Sequence, residues 1–286
     1  MKHILISCVM ILLTASWALA ETSVWKAQKG NSIIYLGGTI HILRSSDLPP
    51  PPEFKKAYDA SDAVVFEADL SKIQSSEFNE KLMSELKYPD GDSIDKHISP
   101  KMYSDLSEFC KARGIPLEFM KQYKPSLVTI LLTFMELMKL GFDQEGVDLY
   151  FYQMALKDGK SVESFETIDE QIGFLASMAD GADGFVAYSL NDIKDMKWKI
   201  EALIDAWRKG DVGKLNELAL SELKTKQPEN YKKLIVDRNL QWLPKIEAYL
   251  KTPRTTEFIL VGVAHLAGPD GVLENLKKRG YRVDKL

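Results

Sequence analysis

The chain has 286 residues, with 37 lysines and arginines against 41 aspartates and glutamates, four histidines and two cysteines. The net charge of −4 and the lack of a basic tract argue against nucleic acid as a ligand. The length suits one large domain, or a domain carrying an insertion, with a core large enough to need no disulfide.

Residues 1–20, "MKHILISCVMILLTASWALA", read as a secretory signal peptide. Lys2 gives the positive start, residues 4–13 the apolar core, and Ala18-Leu19-Ala20 a small-x-small cleavage site before Glu21. That core is too short for an uncleaved transmembrane anchor, and Cys8 comes too early for a lipoprotein site. Beyond it only Cys110 remains, which excludes an intramolecular disulfide and reads as a small buried hydrophobe. The compartment expected is the periplasm, or the cell exterior, of a bacterium.

Residues 21–286 read as a single α/β (α+β) domain. A central mixed sheet is built from the N- and C-terminal parts, with a largely helical insertion over about 99–250. "SIIYLGGTIH" (32–41) is a strand ending in glycines. The prolines of "LPPPPEFKKAYDAS" block regular structure until a helix begins near Glu53. "DAVVFEADL" (62–70) is a second strand, with Val65, Glu67 and Asp69 on one face and Val64, Phe66 and Ala68 on the other. Helices follow over 99–114, with a Ser-Pro start and a Gly stop, over 124–141, with Ser126 as N-cap, and over 146–159. The apolar run of the second is too short to cross a bilayer and reads as buried. "KSVESFET" (160–167) returns to a strand, and 169–251 is helical. At the end come a strand (256–265), an amphipathic helix (269–280) and a short strand (281–286), an order that suggests parallel pairing.

Two strands end alike. "YLGGTIH" carries Gly38 and His41, and "LVGVAH" carries Gly262 and His265. In open α/β sheets ligands bind beyond the carboxyl ends of the strands, and His41, Glu67, Glu166 and His265 all fall at such ends. Two histidines and a carboxylate are a recurrent ligand set for a catalytic divalent metal, and a second carboxylate can serve as general base. Each residue also has a plainer reading. The histidines can cap their strands, and Glu67 can form a buried ion pair, with Arg238 as the partner. Asp148 and Glu166 can cap helices. His97 reads as surface. No nucleophile elbow, P-loop or dinucleotide fingerprint is present.

In order, "YLGGTIH", "VVFEADL", "GVDLYFYQMALKDGKSVESFET", "DRNLQW" and "LVGVAH" resemble the TraB/GumN family, from about Val24 to Leu286. That family is related to the Tiki metalloproteases and, more distantly, to a ChaN-like haem-binding and erythromycin-esterase group. By position, the resemblance implies His41, His265 and Glu67 as the family's two histidines and acid. Its Leu-Glu-Thr stretch falls on Phe165-Glu166-Thr167, with Phe for Leu, and its Arg-Asn pair on Arg238-Asn239. The Tiki relatives imply divalent-metal-dependent hydrolysis (manganese, cobalt or zinc) of a peptide or protein substrate. Glu166 would then be second carboxylate or general base, and Arg238 a stabiliser of an oxyanion. The alternative expectation is a protein that binds a peptide, a metal or haem without turnover.

Overall fold

The computed structural model describes residues 22–73, 75–178, 182–251 and 255–286. The signal peptide expected over residues 1–20 lies outside them. In chain order the strands are β1 Val24–Lys29, β2 Ser32–Thr39, β3 Ile42–Leu43, β4 Ala63–Ala68, β5 Gln144–Glu145, β6 Ser161–Glu166, β7 Glu257–Gly262 and β8 Arg282–Lys285. The helices are α1 Pro52–Asp59, α2 Leu70–Ile73, α3 Ser76–Leu86, α4 Pro100–Ala112, α5 Pro125–Lys139, α6 Val147–Asp158 and α7 Ile168–Ser177. They continue as α8 Ala182–Lys209, α9 Val212–Asn216, α10 Glu222–Lys226, α11 Pro228–Tyr231, α12 Arg238–Tyr249, α13 Val263–Leu266 and α14 Val272–Lys278.

Six strands form one mixed sheet in the order β6-β4-β7-β2-β1-β8. β6, β4, β7 and β2 run parallel, and β1 is antiparallel to both β2 and β8. Strands from the two ends of the chain therefore pair at the sheet's centre, as expected. The parallel pairing suggested for the last strand is corrected. β8 does not join β7 but crosses to β1, a strand that the sequence pattern does not announce.

The faces of β4 follow the alternation of its side chains. Val64 and Phe66 pack with Phe54, Phe151 and Trp207 of α1, α6 and α8, while Val65 packs on the opposite face with Trp242 and Ile246 of α12 and Leu273 of α14. A third apolar cluster joins α4, α5 and α8, and holds Cys110 at 0 % exposure. α5 is buried only in its first half. Phe134, Met135 and Met138 face solvent, so the helix expected to be wholly buried is amphipathic in position if not in composition. Its N-cap is Lys124, with Pro125 in the first turn, and Ser126 lies inside the helix rather than capping it. No helix of the described residues is long and apolar enough to cross a membrane.

The paired glycines of β2 answer to packing. A Cβ on Gly38 would stand 2.6 Å from the Val263 side chain. The Gly38 carbonyl accepts a hydrogen bond of 2.7 Å from the Trp207 indole, which is fully buried. Replacing Trp207 with Phe removes one ring's worth of buried volume and strands that carbonyl. The expected loss is about 1–3 kcal/mol, read as a lower urea midpoint at unchanged m value.

Candidate functional site

The carboxyl ends of the four parallel strands lie along one edge of the sheet, and the conserved direction of β2, β4, β6 and β7 brings four elements to a point. Thr39 sits opposite Gly262, and Ala68 opposite Glu166. His41 follows β2, Glu67 lies on β4, Glu166 ends β6, and His265 sits in the short helix α13 after β7. All of the site residues expected from the sequence meet here, joined by Arg238 at the start of α12. A π-helical turn, Lys232–Asp237, leads into Arg238, a backbone form often found at functional positions.

Arg238 is the hub. Its Nε donates to Glu166 Oε1 at 2.8 Å, and Nη2 donates to Glu166 Oε2 at 2.9 Å and to Glu67 Oε2 at 2.6 Å. Nη1 donates to His265 Nε2 at 3.0 Å and, more weakly, to the Leu234 carbonyl at 3.4 Å. Its guanidinium is stacked between the rings of Phe174 and Trp242. The ion pair with Glu67, one of the two readings open for that residue, is thus present. Glu166 is buried with four donors on its two oxygens: the Arg238 fork, the Trp242 indole at 2.8 Å, and the Gln171 amide. It caps no helix. Thr167 is the N-cap of α7, in a capping box with Glu170.

These bonds also fix the protonation of His265. An arginine can only donate, so Nε2 of His265 must accept, and its Nδ1–H donates to Asn239 Oδ1 at 2.8 Å. Burial pushes this imidazole down to about 3, against the pull of Glu67, so the ring is neutral. For Glu67, burial raises the carboxyl. His265, in the acid range where that ring is charged, and Arg238 and His41, together with the Gly262 amide, outweigh it and hold the group at about 2.

His41 is built differently. Its Nδ1 faces Asp148 Oδ2 at 2.8 Å, and Asp148 Oδ1 accepts from the Thr39 hydroxyl at 2.7 Å. The Val147 amide bonds the Ile40 carbonyl at 3.0 Å, which seats the start of α6 against the His41 loop. Asp148 raises the imidazole to about 9, and water screens part of that pull because the side chain is 64 % exposed. Asp148 is therefore the orienting partner of His41 and not a helix cap, for which Gly146 stands in place. His97 lies at the surface, as expected, stacked on Tyr88 and bonded to Asp92.

The three groups expected to hold a metal surround the bare Cα of Gly262. A Cβ placed there would stand 3.1 Å from Glu67 Oε1, 3.4 Å from His41 Nε2 and 3.7 Å from the His265 ring. Glycine at this position keeps open a cradle that any side chain would fill. Each imidazole has Nδ1 tied to an oxygen, as in the oriented histidines of metal centres. The donor types are ones that bind divalent ions, but as placed Glu67 and His265 are bonded to Arg238, and no three histidine, cysteine or acidic side chains among the described residues converge tightly enough to share one. A cavity of about 240 Å³ opens beside two of these groups, with His41, Glu67, Asp148 and Gln171 on its polar side and Phe66, Leu70, Ile73 and Leu149 among its walls.

Acid should weaken the metal-free fold in two overlapping steps. His265 and Glu67 both have folded values below their ordinary 6.5 and 4.5, so the unfolded chain binds protons that the folded chain refuses. Stability is expected to fall as pH drops from about 6.5 to 3 on account of His265, and from about 4.5 to 2 on account of Glu67. His41 has the opposite sign, losing its contribution as pH rises through about 9. Urea midpoints of chelator-treated protein across pH 3–9 test this reading. A profile unchanged by His265→Asn between pH 6.5 and 4.5 would contradict the assignment of the neutral ring.

Comparison with known proteins identifies the family. The sequence model of the TraB/PrgY/gumN family matches residues 23–285. The chain is 23 % identical over 249 residues to the uncharacterized protein YbaP of Escherichia coli (strain K12), covering 87 % of this chain and 89 % of that protein. The uncharacterized protein YbaP of Shigella flexneri is likewise 23 % identical over 249 residues, with 87 % and 89 % covered. No solved structure matches. A family match that spans β1 to β8, and with them every residue of the Arg238 cluster, makes this chain a member of the TraB/PrgY/gumN family.

Proposed function

We propose that the chain is a divalent-metal-dependent hydrolase of the cell exterior or periplasm, acting on peptides. The observation that carries this reading is the ring of Glu67, His41 and His265 around Gly262, two of which, Glu67 and His41, also line a largely apolar cavity. His41 Nε2, His265 Nε2 and a Glu67 oxygen would hold the ion, whose identity among manganese, cobalt and zinc the donor set leaves open. An ion held there supplies Lewis acidity toward a peptide carbonyl.

The chain's own groups supply the rest. Asp148, backed by Thr39, holds His41 with Nε2 turned to the cradle, and Asn239 does the same for His265. Phe66, Leu70, Ile73 and Leu149 exclude water from one side of the substrate. The Arg238 guanidinium is a fixed positive charge next to the cradle, suited to stabilise negative charge on an attacked carbonyl oxygen. Glu166, with both oxygens engaged, serves by anchoring Arg238, which makes it a positioning residue in place of a general base.

A mixed fluorogenic peptide library, incubated with stripped protein and added manganese, cobalt or zinc, tests the activity. Cleavage should depend on the metal and disappear in His41→Ala, His265→Ala and Gly262→Val. Asp148→Asn should retain the fold and lower metal affinity or activity by about 10–100-fold. Metal uptake without cleavage of any peptide would favour a binding protein.

A further inference from the structure

We propose that Arg238 is a resident cation that keeps the ligand set closed until a metal ion displaces it. This rests on the metal reading above and concerns a step which that reading does not specify.

All five guanidinium hydrogens have acceptors, and they divide into two groups. Nε and one Nη2 hydrogen form a fork on Glu166, while the other Nη2 hydrogen and one on Nη1 go to Glu67 and His265. The remaining Nη1 hydrogen meets the Leu234 carbonyl. The second group takes His265 Nε2, the atom an ion would need, and one oxygen of the Glu67 carboxylate, whose other oxygen faces the cradle. Nε2 is the free lone pair of His265, because Asn239 fixes the proton on Nδ1. Both Glu67 oxygens are engaged, one by Arg238 and one by the Gly262 amide. With His265 Nε2 and Glu67 Oε1 3.9 Å apart, the two donors already face each other across the cradle.

An incoming divalent cation and the guanidinium thus compete for the same two side chains. The guanidinium need not leave the protein to yield them. Its fork on Glu166 is a complete bidentate pair, and Glu166 is itself held by Trp242 and Gln171. In the released position Arg238 keeps its charge compensated and remains next to the cradle. In the closed position it neutralises Glu67, whose buried charge would otherwise stand alone. The metal-free fold is therefore stable at the cost of metal affinity.

Equilibrium dialysis of stripped protein against cobalt(II) and, separately, zinc(II) tests the competition. Two variants hold the net charge of the cluster constant: Arg238→Lys, whose point charge cannot span three partners, and the double variant Arg238→Gln with Glu166→Gln, which removes one buried acid together with the cation and leaves Glu67 for the ion. Both should bind one ion per chain about tenfold or more tightly than the parent, the reach of one charged hydrogen bond. If Arg238→Lys fails to fold, as judged by circular dichroism, the double variant decides. A parent that binds metal, with variants no tighter, would overturn the lock and leave the metal reading intact. If neither parent nor variants take up an ion, the metal reading falls and the lock with it.

Discussion

One buried cation organises this molecule. The Arg238 guanidinium sits where two strand ends, β4 and β6, meet helix α12 and the turn after β7. A charge removed from water must be compensated on every side, and each compensating group comes from a different segment. Glu67 and Glu166 supply the negative charge, the neutral His265 an uncharged acceptor, and Phe174 and Trp242 the flat faces. The geometry of the site is the solution to that single problem of solvation. It explains why residues far apart in sequence share one set of bonds, and why Glu166, at the end of a strand, has no lone pair to spare.

The two histidines show how the same residue type is given opposite characters. His265 is enclosed, with Trp242 against its ring, and can accept only as a neutral base. His41 lies at the mouth of the cavity, next to a carboxylate that favours its charged form. Metal ligation requires both to be neutral at Nε2. On this account His41 would have to shed a proton as an ion enters while His265 would not.

Much of this was legible in the sequence where local pattern controls the outcome. Apolar runs closed by glycine marked β2 and β7, and β4, which alternates Val64, Val65 and Phe66, had to serve two cores. Repeated spacing from Gly38 to His41 and from Gly262 to His265 pointed to one shared place. What stayed hidden depends on tertiary contact. Asp148, at the start of an ordinary helix, looks like a cap until the His41 loop is packed against it. Gln171 and Thr39 give no signal alone, because their role is to bond a neighbour that only the fold supplies, and Asn239 was marked only through the resemblance, without its partner His265. β1 and the antiparallel seating of β8 were missed for a similar reason: β1 is a short run broken by Lys26 and Gln28, β8 is a polar edge strand, and nothing in their residues names their partners.

The pairing of β2 with β7 has a consequence for how the protein is made. Tyr35 lies beside Phe258, so the middle of the sheet waits for the last part of the chain. Contacts so distant in sequence are slow to form. During synthesis or export, His41 and Glu67 emerge early, and His265 only when almost everything else is out. A nascent or truncated chain carries His41 and Glu67 without His265, and an unpaired sheet edge. The cluster around Gly262 is thus withheld from every unfinished copy, and a clip that removes the segment from β7 onward would destroy the scaffold and the cluster in one stroke.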